Sequence, residues 1–227
     1  MDQKLSMLLT FTGGYVDTSG FLALHGLLAA HVTGNFITFG AALAQGTAVP
    51  DSKLIAVPVF CLAVVGARLL GDRLAARRMP VLRSMLMVET LLLAIAAGVA
   101  LWSGTFATAD AWPALLTGVS LVAAMAVQTA AHRVHLAGTP MTTAVTVTTT
   151  QVMIDLTDLL RGWSPEADAA SRARLYRSLG SLVAYAGGCL AAAGAFTAGG
   201  SWGLVLPPLV ILVAAGLPAA RLDGKRH

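Results

Sequence analysis

The sequence predicts an all-α membrane protein: about six transmembrane helices, two short re-entrant or broken helices, and two inverted-topology repeats. Three observations carry this expectation. First, the 227 residues are 56% hydrophobic and only 11% charged, with a mean hydropathy of +0.75. A soluble domain carries about 25% charged residues, so this chain lacks the polar surface to cover a globule in water and its solvent is a bilayer. Second, the apolar stretch 8–43 is too long for one crossing. As a helix it would reach about 54 Å against a hydrocarbon core of about 30 Å. It holds Asp17 near its middle and is broken at His31-Val32-Thr33-Gly34-Asn35. Third, the basic residues are clustered, and only some topologies place the clusters on one side.

Apolar segments can be marked at roughly 5–28, 35–46, 54–72, 82–102, 112–131, 141–160, 178–199 and 202–220. Segment 35–46 is short for a span, and 141–160 opens on a threonine-rich run. If both enter and leave on the same side, all but Lys53 of the 15 Lys and Arg become cytoplasmic, as the positive-inside tendency requires. Both termini then lie inside. The loops 46–52 and 103–110 fall outside, with Trp102, Trp112 and Trp202 near that interface. Met1-Asp2-Gln3-Lys4 precedes an apolar run with no clear small-residue cleavage site, so the first span reads as retained. The +4 net charge follows from this sidedness and not from nucleic-acid binding. The whole chain, 1–227, reads as one polytopic domain in half-repeats of about 5–103 and 111–220.

The repeat appears when Leu8 is set against Leu121. Tyr15 then faces Gln128, Thr33 faces Thr146, Asn35 faces Thr148 and Thr38 faces Gln151. Each half reads as span, re-entrant segment, span, span. An odd number of crossings per half forces the halves to be inverted.

The run Gly14-Tyr15-Val16-Asp17 with Gly20-Phe21, then His31-Val32-Thr33-Gly34-Asn35, resembles the signature of the YoaK family of small bacterial membrane proteins, a domain of unknown function. The similarity extends to Glu89, Gln128 and the pattern Thr142, Thr143, Thr146. Where a second Thr-Gly is expected, this chain has Thr146-Val147. The resemblance implies an integral inner-membrane location and little about activity.

Thr33-Gly34-Asn35 reads as a helix start, with Gly34 giving backbone freedom and Asn35 or Thr33 accepting from the first helical N–H groups. Thr148, Thr149 and Thr150 would serve a helix starting near Gln151. Two helix N-termini meeting near the midplane would suit an anionic or neutral dipolar solute; structural capping is the alternative. Asp17 is costly in a span and is open to being neutral, proton-coupling or paired; His31 is its partner only if the chain folds back. His132 and His135, with no third ligand nearby, read as interfacial, so no metal is expected. Glu89 is expected to pair with Arg68 or Arg83, and Asp155 and Asp158 to form a solvated or ion-paired face near Arg161. Cys61 and Cys189 read as small buried side chains. The stripe Gly180, Ala184, Gly188 leaves packing within the monomer and homo-oligomerisation both open. No nucleophile elbow, zinc-protease motif or phosphate loop is present, so neither an enzyme nor a cofactor is expected. The function these features predict is a small-solute secondary transporter or permease. Its midplane site would comprise Asp17, His31, Thr33, Gly34, Asn35, Gln128, Thr146 and Thr148. A channel of similar architecture and a non-transporting scaffold are the alternatives.

Overall fold

The computed structural model describes residues 2–47, 51–106, 108, 110–136, 145–161 and 165–217. Among them there are helices and no strands. In chain order the helices are α1 (Asp2–Ala23), α2 (Gly34–Gln45), α3 (Asp51–Ala76), α4 (Val81–Ser103), α5 (Trp112–His135), α6 (Val145–Arg161) and α7 (Pro165–Gly199). A short 3-10 segment (Gly200–Val205) then leads into α8 (Leu206–Gly216). Four stretches are long and apolar enough to cross a membrane: Asp51–Ala76, Val81–Ser103, Trp112–His135 and Ser171–Gly216. The last includes a reversal of direction. Gly203 accepts a hydrogen bond from the Tyr15 hydroxyl, while Leu217 shares a surface groove with Lys4, Met7 and Leu8. So α8 runs antiparallel to α1.

Small residues decide which helices meet. The main pairings are α1 with α7 and α8, α5 with α3 and α4, α4 with α8, α6 with α7, and α2 with α3. Between α1 and α7 the backbones touch. A Cβ at Gly188 would collide with the Phe11 carbonyl oxygen, and one at Gly14 with the Tyr185 carbonyl oxygen. Phe11 and Gly14 on α1 thus lie beside Gly188 and Tyr185 on α7, while Gln3 and Met7 lie beside Gly180. The two helices are therefore parallel, and the small-residue stripe is used inside the chain. The most buried span is α5 and the least buried is α3. Leu86 and Leu93 of α4, Leu121 and Met125 of α5 and Ile211 of α8 fill the core.

The two ends of the bundle differ in chemistry. At one end the loops interlock. His25 Nε2 bonds the Phe106 carbonyl, Ser201 donates to the Gly104 carbonyl, and the Asp51 N–H donates to Asp110. The exposed Trp102, Trp112 and Trp202 lie there, with the Trp102 and Trp112 rings 5.6 Å apart. The opposite end carries Arg73, Arg77, Arg78, Arg83, Arg133 and Arg161.

Several expectations change. Cys61 is exposed on α3, and Cys189 is partly buried against the Gly14 carbonyl. His132 is buried, because the face of α5 it occupies also holds Met125 and Gln128. Asp155 is fully buried and pairs with Arg174 of α7, not with Arg161. Glu89 meets neither Arg68 nor Arg83: it is fully buried, and its carboxyl has no hydrogen-bond partner among the described residues. Thr148, Thr149 and Thr150 lie inside α6, which already starts at Val145. The last two hydroxyls donate back to the carbonyls of Val145 and Thr146. Thr142, Thr143 and the C-terminal Arg221, Lys225 and Arg226 lie outside the described residues.

Because the α1–α7 contact is backbone on backbone, Gly188→Val should destabilise the protein by about 1–3 kcal/mol, the cost of overpacking. Gly187→Val, whose Cβ position is open, should not. Thermal melts of the two variants in detergent, read with their elution profiles, check this contrast.

Candidate functional site

The first span stops at Ala23 because the chain turns at His25 and Gly26, both with positive φ (54° and 87°). The Gly26 N–H returns to the Phe21 carbonyl. Residues 24–33 then fold back along α1 to the level of Asp17. That backbone is non-helical at membrane depth, where unpaired N–H and C=O groups are costly. Two side chains satisfy it.

Asp17 is the first. Its Oδ1 accepts the N–H groups of Ala29 (2.9 Å), Ala30 (2.6 Å) and, more weakly, His31 (3.4 Å). Its Oδ2 lies 2.5 Å from His31 Nδ1 and accepts the Tyr185 hydroxyl at 3.3 Å. Asp17 is buried, whereas the His31 side chain is 32% exposed. The rings of His31 and Tyr185 meet edge-on at 5.6 Å. The carboxyl oxygen and the ring nitrogen are within hydrogen-bond reach, and the Tyr185 hydroxyl donates to the same oxygen, so Asp17, His31 and Tyr185 form one polar cluster.

Asn35 is the second. Its Oδ1 accepts the Leu28 N–H (3.1 Å), and its Nδ2 donates to the carbonyls of Leu28 (2.8 Å) and Val32 (3.0 Å). It therefore clamps the incoming loop and does not cap α2. Thr33 stands at the cap position but is exposed and makes no side-chain capping bond. The N–H groups of Gly34, Asn35 and Phe36 go to the carbonyls of His31, Val32 and Thr33, so these first donors of α2 are occupied from within the chain. Gly34 has ordinary φ. Its lack of a side chain is explained by Leu28, whose Cδ1 lies 2.5 Å from where a Cβ would be.

The remaining predicted residues lie elsewhere. Gln128 is buried on α5 and donates to the Leu9 carbonyl of α1 (3.0 Å), about two turns from Asp17. Thr146 is exposed on α6, and Thr148 is buried on the same helix, which packs on α7. The structure brings together Asp17 and His31, with Gly34 and Asn35 adjoining them along the loop. Sequence reasoning missed Tyr185. Its available signal was its place among Ala184, Gly187 and Gly188, where a lone phenol on a small-residue face has room to reach a neighbouring helix.

The described residues form a helical, membrane-like protein with four stretches long and apolar enough to cross a bilayer and a non-helical break between α1 and α2. The chain belongs to the family described as Protein of unknown function (DUF1275), which matches residues 5–217. This agrees with the YoaK-like signature in the sequence. No curated protein and no solved structure matches it.

Asn35→Ala should leave the Leu28 N–H and C=O without their side-chain partner inside the protein, at a cost of about 1–3 kcal/mol per orphaned group. A depressed melting temperature, with faster proteolysis between residues 24 and 33, is the expected reading.

Proposed function

We propose that this protein is a small-solute secondary transporter of the bacterial inner membrane, built from two inverted halves, with both termini cytoplasmic. The observation that carries this reading is the position of the Asp17–His31–Tyr185 cluster. Asp17 and His31 belong to the break in the first half, and Tyr185 to the third helix of the second. Transporters of inverted-repeat architecture bind solute and coupling ion at that kind of junction, beside discontinuous helices.

The packing supports the repeat. Exchanging α1 with α5, α2 with α6, α3 with α7 and α4 with α8 turns the α1–α7 pair into α5–α3. It also turns α1–α8 into α5–α4 and α2–α3 into α6–α7, and all of these pairs occur. In this reading α1, α3, α4, α5, α7 and α8 cross. The 12 residues of α2 and 17 of α6 extend only about 18 and 26 Å, short of the hydrocarbon core, and re-enter. The arginine-bearing end then faces the cytoplasm. The Asp17–His31 pair is the coupling element, and the other nitrogen of the half-buried His31 ring suits a solute with acceptor atoms, anionic or neutral and dipolar.

One observation favours a second reading, a non-transporting scaffold: Asp17 Oδ1 is already occupied by backbone donors of the break. Flux separates the two. Purified protein in liposomes, challenged with a panel of small anions and neutral dipolar solutes under an imposed pH gradient, should transport at least one of them. Asp17→Asn and Tyr185→Phe should each lower that flux by roughly tenfold or more, as expected for loss of about 1.4 kcal/mol or more of a required interaction. Both variants should still insert and stay monodisperse. If both transport normally, the cluster is not the site.

A further inference from the structure

Glu89 is used by nothing described so far. It is fully buried on the face of α4 that also carries Leu82, Met85, Leu86 and Leu93, and neither carboxyl oxygen has a hydrogen-bond partner among the described residues. A buried carboxyl that holds no other group adds nothing to packing that an apolar side chain would not, and it costs desolvation. As an ion with no counter-charge it would cost considerably more. Such a group in a span asks for a functional reason.

A groove of about 560 Å³ lies beside it, between α3, the start of α4 and the end of α5. Val81 and Met85 line the groove, and Glu89 continues the same row of α4 at the next four-residue step. Glu89 is thus one helical turn, about 5.4 Å, further along α4 than Met85, the last residue of α4 that lines the groove. Thr129 lines the groove from α5, and its buried hydroxyl also has no partner among the described residues. The Met85 thioether reaches across to α3 at Gly71. Its Cε lies 2.9 Å from where a Cβ at Gly71 would be. An unbranched thioether has the rotamer freedom to move aside.

We propose that Glu89 is a proton-binding site within the span, reached from the arginine-bearing end through this groove, with Met85 as the side chain that opens its last turn. Water in the groove delivers the proton to the carboxylate. Of the charged and titratable groups on the elements around the groove, Arg68 and Asp72 of α3 and Arg133 and His135 of α5 line it; α3 also carries Asp51, Lys53, Cys61 and Arg73, α4 carries Arg83 and α5 the buried His132, while α8 and the 3-10 segment carry none. Arg68 and Asp72 pair with each other at the exposed surface. The inference does not depend on which solute, if any, crosses at Asp17.

The test uses the full chain in liposomes and the apolar reagent dicyclohexylcarbodiimide. A carboxyl that carries its proton adds across the carbodiimide to give a stable N-acylurea, found by mass spectrometry of the peptide. The adduct should form at Glu89 and be absent in Glu89→Gln. Its rate should fall about tenfold per pH unit once the acid ionises. Met85→Ala should raise the rate several-fold, and Ala130→Leu, which fills the groove, should lower it, with the pH profile retained. No adduct at Glu89, a rate that ignores pH, or a rate indifferent to both groove substitutions overturns the proposal.

Discussion

The interior of a bilayer offers no hydrogen bonds, and the rest of this structure depends on how the broken first span meets that constraint. Ten residues of non-helical backbone between α1 and α2 fold back to the depth of Asp17. Their polar groups find partners in one carboxyl and one amide. Asp17 takes the N–H groups of residues 29 and 30, and Asn35 takes both polar groups of Leu28. The carboxylate that looks expensive in the sequence is therefore the side chain that lets the break exist. Its second oxygen is then left to face His31 and Tyr185. Structural satisfaction and proton chemistry are divided between two atoms of one residue.

Glycine makes that geometry reachable from the other half. Tyr185 meets Asp17 across 168 residues of sequence only because Gly14 and Gly188 let α1 and α7 touch through their backbones. A side chain at either position would hold the helices apart and withdraw the phenol. Membrane helices gain little from burying apolar surface against one another, so such close approach is what selects their partners.

Much of the helical layout was legible because its signals are local. Segment lengths, the tryptophans at one end and the arginines at the other follow from short-range patterns, and each helix falls near its apolar segment; the break expected at His31–Asn35 opens earlier, after Ala23. The partners of the polar residues were not legible, for physical reasons that differ from case to case. Asn35 resembled a cap by sequence position, but side chains on a helix tilt toward its N-terminus, so it reaches back into the preceding loop. Glu89 was assigned to the interface by its distance from the helix end. The apolar row Leu82, Leu86 and Leu93 around it pointed to the buried face. Asp155 found Arg174 and not Arg161 because α6 packs on α7, a pairing that no local pattern encodes. The hydrogen-bonded link between Asp17 and His31 required the chain to fold back, and the positive-φ pair His25-Gly26 that turns it was present in the sequence without being singled out.

The pairing of α1 with α7 has a mechanical consequence. The first helix is fixed to a helix from the far end of the chain, whereas α2, its immediate successor, leans on α3. Residues 24–33 are thus a strap between neighbours that belong to different packing partners. If α7 shifts relative to α3, α1 is carried with it and the strap takes up the difference in length. The bonds that hold the strap, from Asp17 to residues 29–31 and from Asn35 to Leu28 and Val32 on either side of them, are then the ones that resist.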